Sequence, residues 1–261
     1  LSQDIKNQVF LLDYNKNVNR LKKTTFTNKV TFIGGDFIDL NKMKSLIFRH
    51  NFKAIFHLGA VTQVIDAYKS PMKTFRTNID GTINILEAIR LINKKIIFIY
   101  ASSDKAYGEL VGKSYKENHQ LKGIYPYDVS KSASDLVAQS YSKTYGLRVG
   151  IIRCGNIYGP ADYNLDRLIP GIIINTLKNK KIVIRSNGKL IRDYIYVRDA
   201  AKAYIMLLKK MLKNNKKLFI YNIGSKHNLT ALIMLNKIQK LMKKKINPLI
   251  KNNSKIEIKK Q

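Results

Sequence analysis

The sequence predicts a doubly wound α/β fold, in which helices cover both faces of a parallel sheet. Six short apolar runs are continuous rather than alternating, which is typical of strands that are buried on both faces. Segments with helical periodicity separate most of these runs, as right-handed crossover connections require. The chain has 261 residues, of which 45% are hydrophobic, so it can bury a large core.

The predicted strands and helices follow in chain order. The strands cover Gln8–Asp13, Val30–Gly34, Ala54–Leu58, Lys95–Ala101, Arg148–Arg153 and Leu218–Ile223. The helices cover Asn41–His50, Pro71 to about Ile92, Tyr127–Tyr145, Val197–Asn214 and Thr230–Lys244. Ser70 followed by Pro71 marks a helix start, because serine is a good cap and proline suits the first helical position.

Small and polar residues cluster where the predicted strands end. Asp13 and Asp36 follow the first two strands, residues 59–62 follow the third, and Ser102-Ser103-Asp104-Lys105 follow the fourth. Ligands of doubly wound sheets bind outside the carboxyl ends of the strands. We therefore expect a binding site at this edge of the sheet.

The chain is strongly basic, with 48 Lys and Arg against 17 Asp and Glu, a net charge of +31. The excess is mostly lysine, it is spread along the chain, and its longest runs are short, such as Lys243–Lys245. We interpret it as a solvated surface and expect no specific nucleic-acid partner. The single Cys154 and the lack of a long uncharged apolar run predict a cytoplasmic protein without a membrane segment.

Tyr127 and Lys131 are four residues apart, so they share one face of the predicted helix. We expect the opposite, packing face to consist of Val129, Ala133, Leu136, Val137 and Ser140. An ammonium beside a phenol lowers the phenol's pKa from its usual value of ~10, which would make Tyr127 a general base for a sugar hydroxyl. Ser103 is placed to hydrogen-bond the same oxygen. An exposed helix pair is the alternative for an isolated Tyr-x-x-x-Lys.

Several further motifs occur in order along the chain. They are Phe56-His-Leu-Gly-Ala60, Thr77-Asn-Ile-Asp-Gly-Thr82, Ser102-Ser-Asp-Lys-Ala-Tyr-Gly108, Tyr125-Pro-Tyr-Asp-Val-Ser-Lys131, Arg153-Cys-Gly-Asn-Ile-Tyr-Gly-Pro160, Arg167-Leu-Ile-Pro170 and Arg192-Asp-Tyr-Ile-Tyr-Val197. In these motifs the chain resembles the NAD-dependent epimerase/dehydratase family of extended short-chain dehydrogenases/reductases, which act on nucleotide-sugars.

The resemblance implies a Rossmann-like, dinucleotide-binding domain in residues 1–160. It also implies a smaller substrate-binding α/β lobe in residues 161–261, partly interleaved with the first domain. The family's first strand and Gly-rich phosphate loop do not precede Asp13, and relatives continue beyond Gln261. We therefore expect a chain that is truncated at both ends.

Asp104 and Lys105 bear on the reaction. An Asp-Lys pair after the active-site serine resembles nucleotide-sugar 4,6-dehydratases of the CDP-glucose 4,6-dehydratase type. Elimination of water needs an acid at C6 and a base at C5 beyond the groups that oxidise C4. We assign Asp104 as the acid. Lys105 is either the base, if neutral, or a cation that stabilises the enolate. The alternative functions are a nucleotide-sugar 4-epimerase and a non-catalytic basic binding protein on the same fold.

The resemblance also implies ligand contacts. NAD is the expected cofactor, and its candidate ligands are Asp13, Asp36, Phe37, Leu58, Ala60, Thr62, Asn78, Tyr127 and Lys131. The expected partner is a nucleotide-diphosphate sugar, for which the candidates are Ser103, Asn156, Arg167 and Arg192. Basic residues Lys16 and Arg20 weaken the preference of Asp13 for NAD over its phosphorylated form.

Two expectations concern histidine and assembly. His57 is interpreted as a packed core residue, and no histidine is spaced with carboxylates as a metal ligand would be, so no metal is expected. Relatives pair through helices that correspond to residues around Asp80–Leu91 and Tyr127–Tyr145. We therefore expect a homodimer.

Overall fold

Four parallel strands form the larger sheet of the computed structural model, which describes residues 8–14, 30–109, 112, 114–225, 228–252 and 258. Its strand order is β3 (Ala54–His57), β4 (Ile97–Ser103), β5 (Arg148–Cys154) and β9 (Leu218–Ile223). Two further parallel strands, β1 (Val9–Asp13) and β2 (Val30–Gly34), pair with each other. All six predicted strands are present, with ends that differ by at most two residues.

The six predicted strands lie in two hydrogen-bonded sheets rather than in the single sheet that the sequence predicts. Within the described ranges, neither β1 nor β2 pairs with a strand of the larger sheet. One core nevertheless joins the two sheets, because Leu12 and Ile33 pack on the same buried cluster as Phe98 and Ile151. Packing of side chains, not strand pairing, therefore connects them.

Helices cover both faces of the larger sheet, as predicted. Phe98 and Tyr100 of β4 face α1 (Leu40–His50), α4 (Gly81–Ile92) and α5 (Pro126–Tyr145). Ile97 and Ile99 face Leu207 and Met211 of α7 (Val197–Leu212). Because successive side chains of a strand point to opposite faces, a continuous apolar run fills both cores. None of the helices in the described part of the chain is long and apolar enough to cross a membrane.

The predicted helix from Pro71 to Ile92 contains a π-helical turn. It runs as α3 (Pro71–Phe75), the π turn Arg76–Asp80 and then α4, and the short α2 (Val64–Lys69) precedes it. The wider turn brings Asn78 inward, where it is buried. Such π turns occur often at functional sites.

The prediction for the packing face of α5 is wrong. Leu136 is 52% exposed and Ser140 is exposed, whereas the opposite, largely polar face is buried. Serine hydroxyls make this burial feasible because each finds a carbonyl acceptor. Ser134 donates to the carbonyl oxygens of Ser130 and Asn78, each at 2.8 Å. Small hydroxyl side chains thus let α5 pack closely against the π turn.

The remaining elements form a smaller group around a separate apolar cluster. Its strands are β6 (Asn156–Tyr158), β7 (Val183–Ile184), β8 (Ile191–Tyr196), β10 (Asn228–Thr230) and β11 (Leu249–Ile250), and its helices are α6 (Leu168–Leu177) and α8 (Ala231–Leu241). The sequence prediction missed all five strands and α6. Four of the strands are only two or three residues long, too short to show a pattern, whereas β8 has six residues and α6 has ten. The division at residue 160 stays a proposal, since α7 and β9 follow it in sequence but return to the larger sheet.

A buried ion pair ties α5 to the larger sheet. The Nε and Nη2 atoms of Arg153 donate to Asp135 at 2.8 and 2.9 Å, and both side chains are almost fully buried. Ser102 and Gln139 donate to the same carboxylate at 2.6 and 2.8 Å. All the acceptor positions of Asp135 are thus used, which is what a buried charge requires.

Replacing Asp135 with asparagine should destabilise the protein by about 3 to 5 kcal/mol, because the guanidinium of Arg153 would stay buried without a counter-charge. Urea unfolding measures this loss. Glu87→Gln is the matched control, since its ion pair with Arg90 is partly exposed and screened by water. Equal destabilisation by the two substitutions would contradict the role given to the buried pair.

Candidate active site

A cavity of about 950 Å³ opens at the carboxyl ends of β3, β4 and β5, between the larger sheet and the smaller group of elements. Ten predicted site residues line it, which are Leu58, Thr62, Ser103, Asp104, Lys105, Tyr127, Lys131, Asn156, Arg167 and Arg192. Five do not, namely Asp13, Asp36, Phe37, Ala60 and Asn78. The structure therefore brings together every predicted catalytic and substrate-binding residue.

Ser103 ends β4 and caps a 3-10 turn, Asp104–Tyr107. Its hydroxyl accepts from the amide of Lys105 at 3.2 Å and donates to the Asp104 carboxylate at 3.1 Å. The turn ends at Gly108, whose φ is 78°. A Cβ atom at this position would clash with the carbonyl oxygen of Lys122, so a side chain is excluded. Strand end and turn together hold Ser103, Asp104 and Lys105 at the cavity.

Lys131 is a buried cation. Its ammonium donates to the carbonyl oxygen of Ala101 at 2.8 Å and lies 5.1 Å from the ring centre of Tyr100. Burial lowers the pKa of Lys131 to about 8, and the negative charge of Asp135 opposes this change. The side chain can therefore lose a proton more readily than a lysine in water.

The expected lowering of the Tyr127 pKa is not found. Burial raises the pKa of Tyr127, and the charges of Asp104 and Asp128 raise it further. Hydrogen bonding to Ser103 and the cation Arg167 act in the opposite direction. Desolvation disfavours a charged phenolate by more than these groups stabilise it, so the protonated form of Tyr127 is favoured.

Asp104 is a carboxyl group suited to donate a proton. Burial raises its pKa, although Lys105, Ser103 and Arg192 all favour its charged form. A general acid must be protonated before it acts, and desolvation is the usual way in which a protein achieves this for a carboxyl.

The three predicted substrate ligands approach the cavity from the smaller group of elements. Asn156 begins β6 and donates to the carbonyl oxygen of Asp193 at 3.4 Å. Arg167 precedes α6 and reaches the carboxylate of Asp162 at 3.3 Å and the hydroxyl of Thr62 at 3.5 Å. This last contact spans the cavity mouth, because Thr62 follows β3.

Arg192 is buried and is held by main-chain carbonyl groups. Its Nη1 donates to the oxygen of Ile191 at 2.9 Å, and its Nη2 donates to the oxygen of Ile258 at 2.7 Å. These two hydrogen bonds position the guanidinium. The guanidinium also influences Asp104, so its charge reaches the centre of the cavity.

The predicted cofactor ligands outside the cavity lining lie at or behind the strand ends. Asp36 accepts from the amide of Ile38 at 3.0 Å. The Phe37 ring packs on Gly59 and Gly81, where a Cβ atom would approach to 2.6 and 2.4 Å. Asn78 binds the backbone of Val61 through both its oxygen and its nitrogen, at 2.8 and 3.1 Å. Asn78 thus fixes the turn that carries Ala60 and Thr62.

His57 is confirmed as a core residue. Its Nε2 lies 3.1 Å from the hydroxyl of Thr82, and burial together with the nearby Lys131 lowers its pKa to about 3. Among the described residues no group of three histidine, cysteine or acidic side chains could hold a metal ion. His227, Lys16 and Arg20 lie outside the described residues.

Sequence reasoning missed two acidic residues of α5. Asp135 holds Arg153, as described above. Asp128 follows Tyr127 directly and is 1% exposed. Neither of its carboxylate oxygens accepts a hydrogen bond of good geometry among the described residues, although the nearby backbone of Tyr125 favours its charged form. A signal was available, because both residues lie within one helical turn of Tyr127 or Lys131.

Comparison with known proteins gives one family and many related structures. A family model described as GDP-mannose 4,6 dehydratase matches residues 5–261. The chain is 32% identical over 238 residues to a dTDP-D-glucose 4,6-dehydratase of Dictyostelium discoideum, covering 87% of this chain and 54% of that protein. The chain therefore spans about half the length of this curated relative.

Two solved structures show the extent of the similarity. A dTDP-glucose 4,6-dehydratase from Bacillus anthracis, solved in complex with NAD, matches with a TM-score of 0.86 and 25% identity, over 99% of this chain and 79% of that one. A UDP-glucose 4-epimerase from Thermotoga maritima, solved with UDP-glucose, matches with a TM-score of 0.84 and 23% identity, over 98% of this chain and 81% of that one. The second likeness concerns the fold alone.

Proposed function

Because the chain belongs to the GDP-mannose 4,6-dehydratase family, we propose that the whole protein is an NAD-dependent nucleotide-sugar 4,6-dehydratase. It would convert a nucleotide-diphosphate hexose into its 4-keto-6-deoxy form. The observation that carries this proposal is the position of Asp104 and Lys105, which line one cavity with Ser103, Tyr127 and Lys131. This set contains a proton carrier for each position of the sugar that must react.

The described residues fit a dinucleotide at the strand ends. Asp13 ends β1, where an acidic side chain suits a ribose hydroxyl, and Leu58 and Thr62 follow β3 into the cavity. Lys131 is buried and lines the same cavity as Tyr127, and we assign it to the nicotinamide ribose. When bound, NAD would accept a hydride from C4 of the sugar and return it at C6.

The residues of this chain supply the proton transfers. Tyr127 would take the proton of the C4 hydroxyl as a phenolate, a form that the positive charges of Lys131 and of the bound nicotinamide would favour, and Ser103 hydrogen-bonds the same oxygen. Asp104 donates a proton to the departing C6 hydroxyl, for which its raised pKa suits it. Lys105 has two candidate roles, removal of the C5 proton as a neutral amine or stabilisation of the enolate as a cation.

Arginines would hold the diphosphate of the substrate. Arg167, which caps the start of α6, and Arg192 of β8 line the cavity from two different parts of the smaller group. Forked, charge-assisted hydrogen bonds make arginine well suited to phosphate oxygens. Nucleotide-sugars named in the relatives, such as dTDP-glucose, are therefore the first substrates to test.

The proposed reaction can be tested with the full-length protein, NAD and nucleoside diphosphate hexoses of several bases, with product analysis by mass spectrometry and NMR. We expect a 4-keto-6-deoxy sugar. Asp104→Asn should lower its formation by ~100-fold or more, while exchange of the C5 hydrogen with solvent deuterium continues. Tyr127→Phe should suppress both. Formation of the 4-epimer without any 4-keto-6-deoxy product would reject the proposal.

Replacing Arg192 with glutamine should raise the KM for the nucleotide-sugar by about tenfold or more and change kcat less, because a charged contact with phosphate is lost. Steady-state kinetics on the folded variant measure this. Arg198→Gln, on the exposed side of α7, is the matched control. An unchanged KM would show that Arg192 does not contact the substrate.

We propose further that the protein works as a cytoplasmic homodimer through α4 and α5. Leu91, Leu136 and Tyr145 are large apolar side chains on these two helices, and each is more than 40% exposed. Leu136→Glu should shift the protein towards the monomer in sedimentation experiments. Leu241→Glu, on the exposed surface of α8, should leave the assembly unchanged. A wild-type protein that sediments as a monomer would contradict the proposal.

A further inference from the structure

Asp128 is a buried charge that the proposed reaction leaves without a role. It is the third residue of α5 and is 1% exposed. Neither of its carboxylate oxygens accepts a hydrogen bond of good geometry within the described residues, although the nearby backbone of Tyr125 favours its charged form. It does not line the cavity, so it cannot touch a substrate there. Most buried carboxylates are paired, because an unpaired one is costly to desolvate.

The surroundings of Asp128 hold it in a fixed position behind the 3-10 turn. Ser132 donates to the carbonyl oxygen of Ala106 at 2.8 Å, and the amide of Lys122 donates to the same oxygen at 3.0 Å. Gly123 packs against the backbone of Asp128 so closely that a Cβ atom would lie 2.5 Å from it. The start of α5 and the turn that carries Asp104 are therefore one rigid unit.

Charged and titratable groups on several elements interact electrostatically with Asp128. Asp104 and Lys105 lie on the 3-10 turn, Arg192 on β8, Tyr115 on the segment before α5, and Tyr127 on α5 itself. Burial raises the pKa of Asp128 to about 6, so its carboxylate is mainly charged at neutral pH. That charge raises the pKa of Tyr127, and by the reciprocity of Coulomb's law it acts in the same direction on Asp104.

We propose that Asp128 sets the pH range of the reaction, by placing one fixed negative charge behind both proton carriers, Tyr127 and Asp104. It is a positioning residue, since it acts through these two groups and not on the sugar. It offsets the cations Lys105 and Arg192, which would otherwise draw the proton from Asp104. The part that concerns Asp104 rests on the proposed dehydratase reaction. The part that concerns Tyr127 needs only the oxidation at C4.

The test is Asp128→Asn, which removes the charge and keeps the shape. Both limbs of the pH profile of kcat/KM should move to lower pH, whichever group governs each limb, because both groups lose a nearby negative charge. On the alkaline side we expect about threefold or greater loss of activity relative to wild type. Asp199→Asn is the matched control, since Asp199 is also the third residue of its helix but is exposed.

A stability measurement provides a readout other than activity. The folded pKa of Asp128 lies above the unfolded value of ~3.9, so its favourable contribution is present below about pH 4 and is lost as the pH rises through about 6. The thermal midpoint of Asp128→Asn should therefore rise relative to that of wild type as the pH increases from about 4 to about 7. Asp128→Ser, which is smaller and leaves room for water, replaces it if the asparagine variant does not fold.

The outcomes separate this proposal from the proposed function. The proposal is overturned if a folded Asp128 variant has the same pH profile of kcat/KM as wild type. It is also overturned if the difference in thermal midpoint between variant and wild type does not change with pH. A wild-type protein that yields a 4-epimer overturns the dehydratase assignment alone. In that case the limb governed by Tyr127 still decides whether Asp128 acts as proposed.

Discussion

The buried pair of Arg153 and Asp135 is the constraint on which the site depends. Through Asp135 it binds α5 to Ser102 at the end of β4. Arg153 also donates to the hydroxyl of Tyr107 at 2.6 Å and to the carbonyl oxygen of Glu117 at 3.0 Å, which holds the far end of the 3-10 turn. The pair therefore fixes β4, α5 and the 3-10 turn relative to one another. The positions of Ser103, Lys131 and Asp104 in the cavity depend on this arrangement.

The fold places polar groups where apolar ones would ordinarily pack. Serines on α5 and Asn78 in the π turn satisfy one another, as in the 2.8 Å bond between Asn78 and Ser130. Small polar side chains bring α5 close to the strand ends, which large apolar ones would not allow. The same closeness removes water from Tyr127 and Lys131, and so shifts the pKa values of both towards their neutral forms.

Sequence reasoning predicts the parallel strands and the residues at their carboxyl ends well, because burial on both faces leaves a continuous apolar run. It predicts the packing face of α5 wrongly, since it assumes that apolar residues point inward and serines outward. The short strands of the smaller group lack any periodicity to detect. The protonation of Tyr127 depends on its burial in the folded chain and on the charges of residues distant in sequence, such as Asp104 and Arg167. The four-residue spacing between Tyr127 and Lys131 does not reveal this protonation state.

Fold alone does not separate the two reactions, because a 4-epimerase has nearly the same TM-score as a dehydratase. The distinction depends on one proton. An epimerase returns the hydride to the carbon that lost it and needs no acid at C6, whereas elimination of water does. Burial raises the pKa of Asp104 despite the two cations beside it, which favours the protonated form that elimination requires and an epimerase does not. In a site that only inverts C4, burying this carboxyl group would cost free energy and serve no step of the reaction.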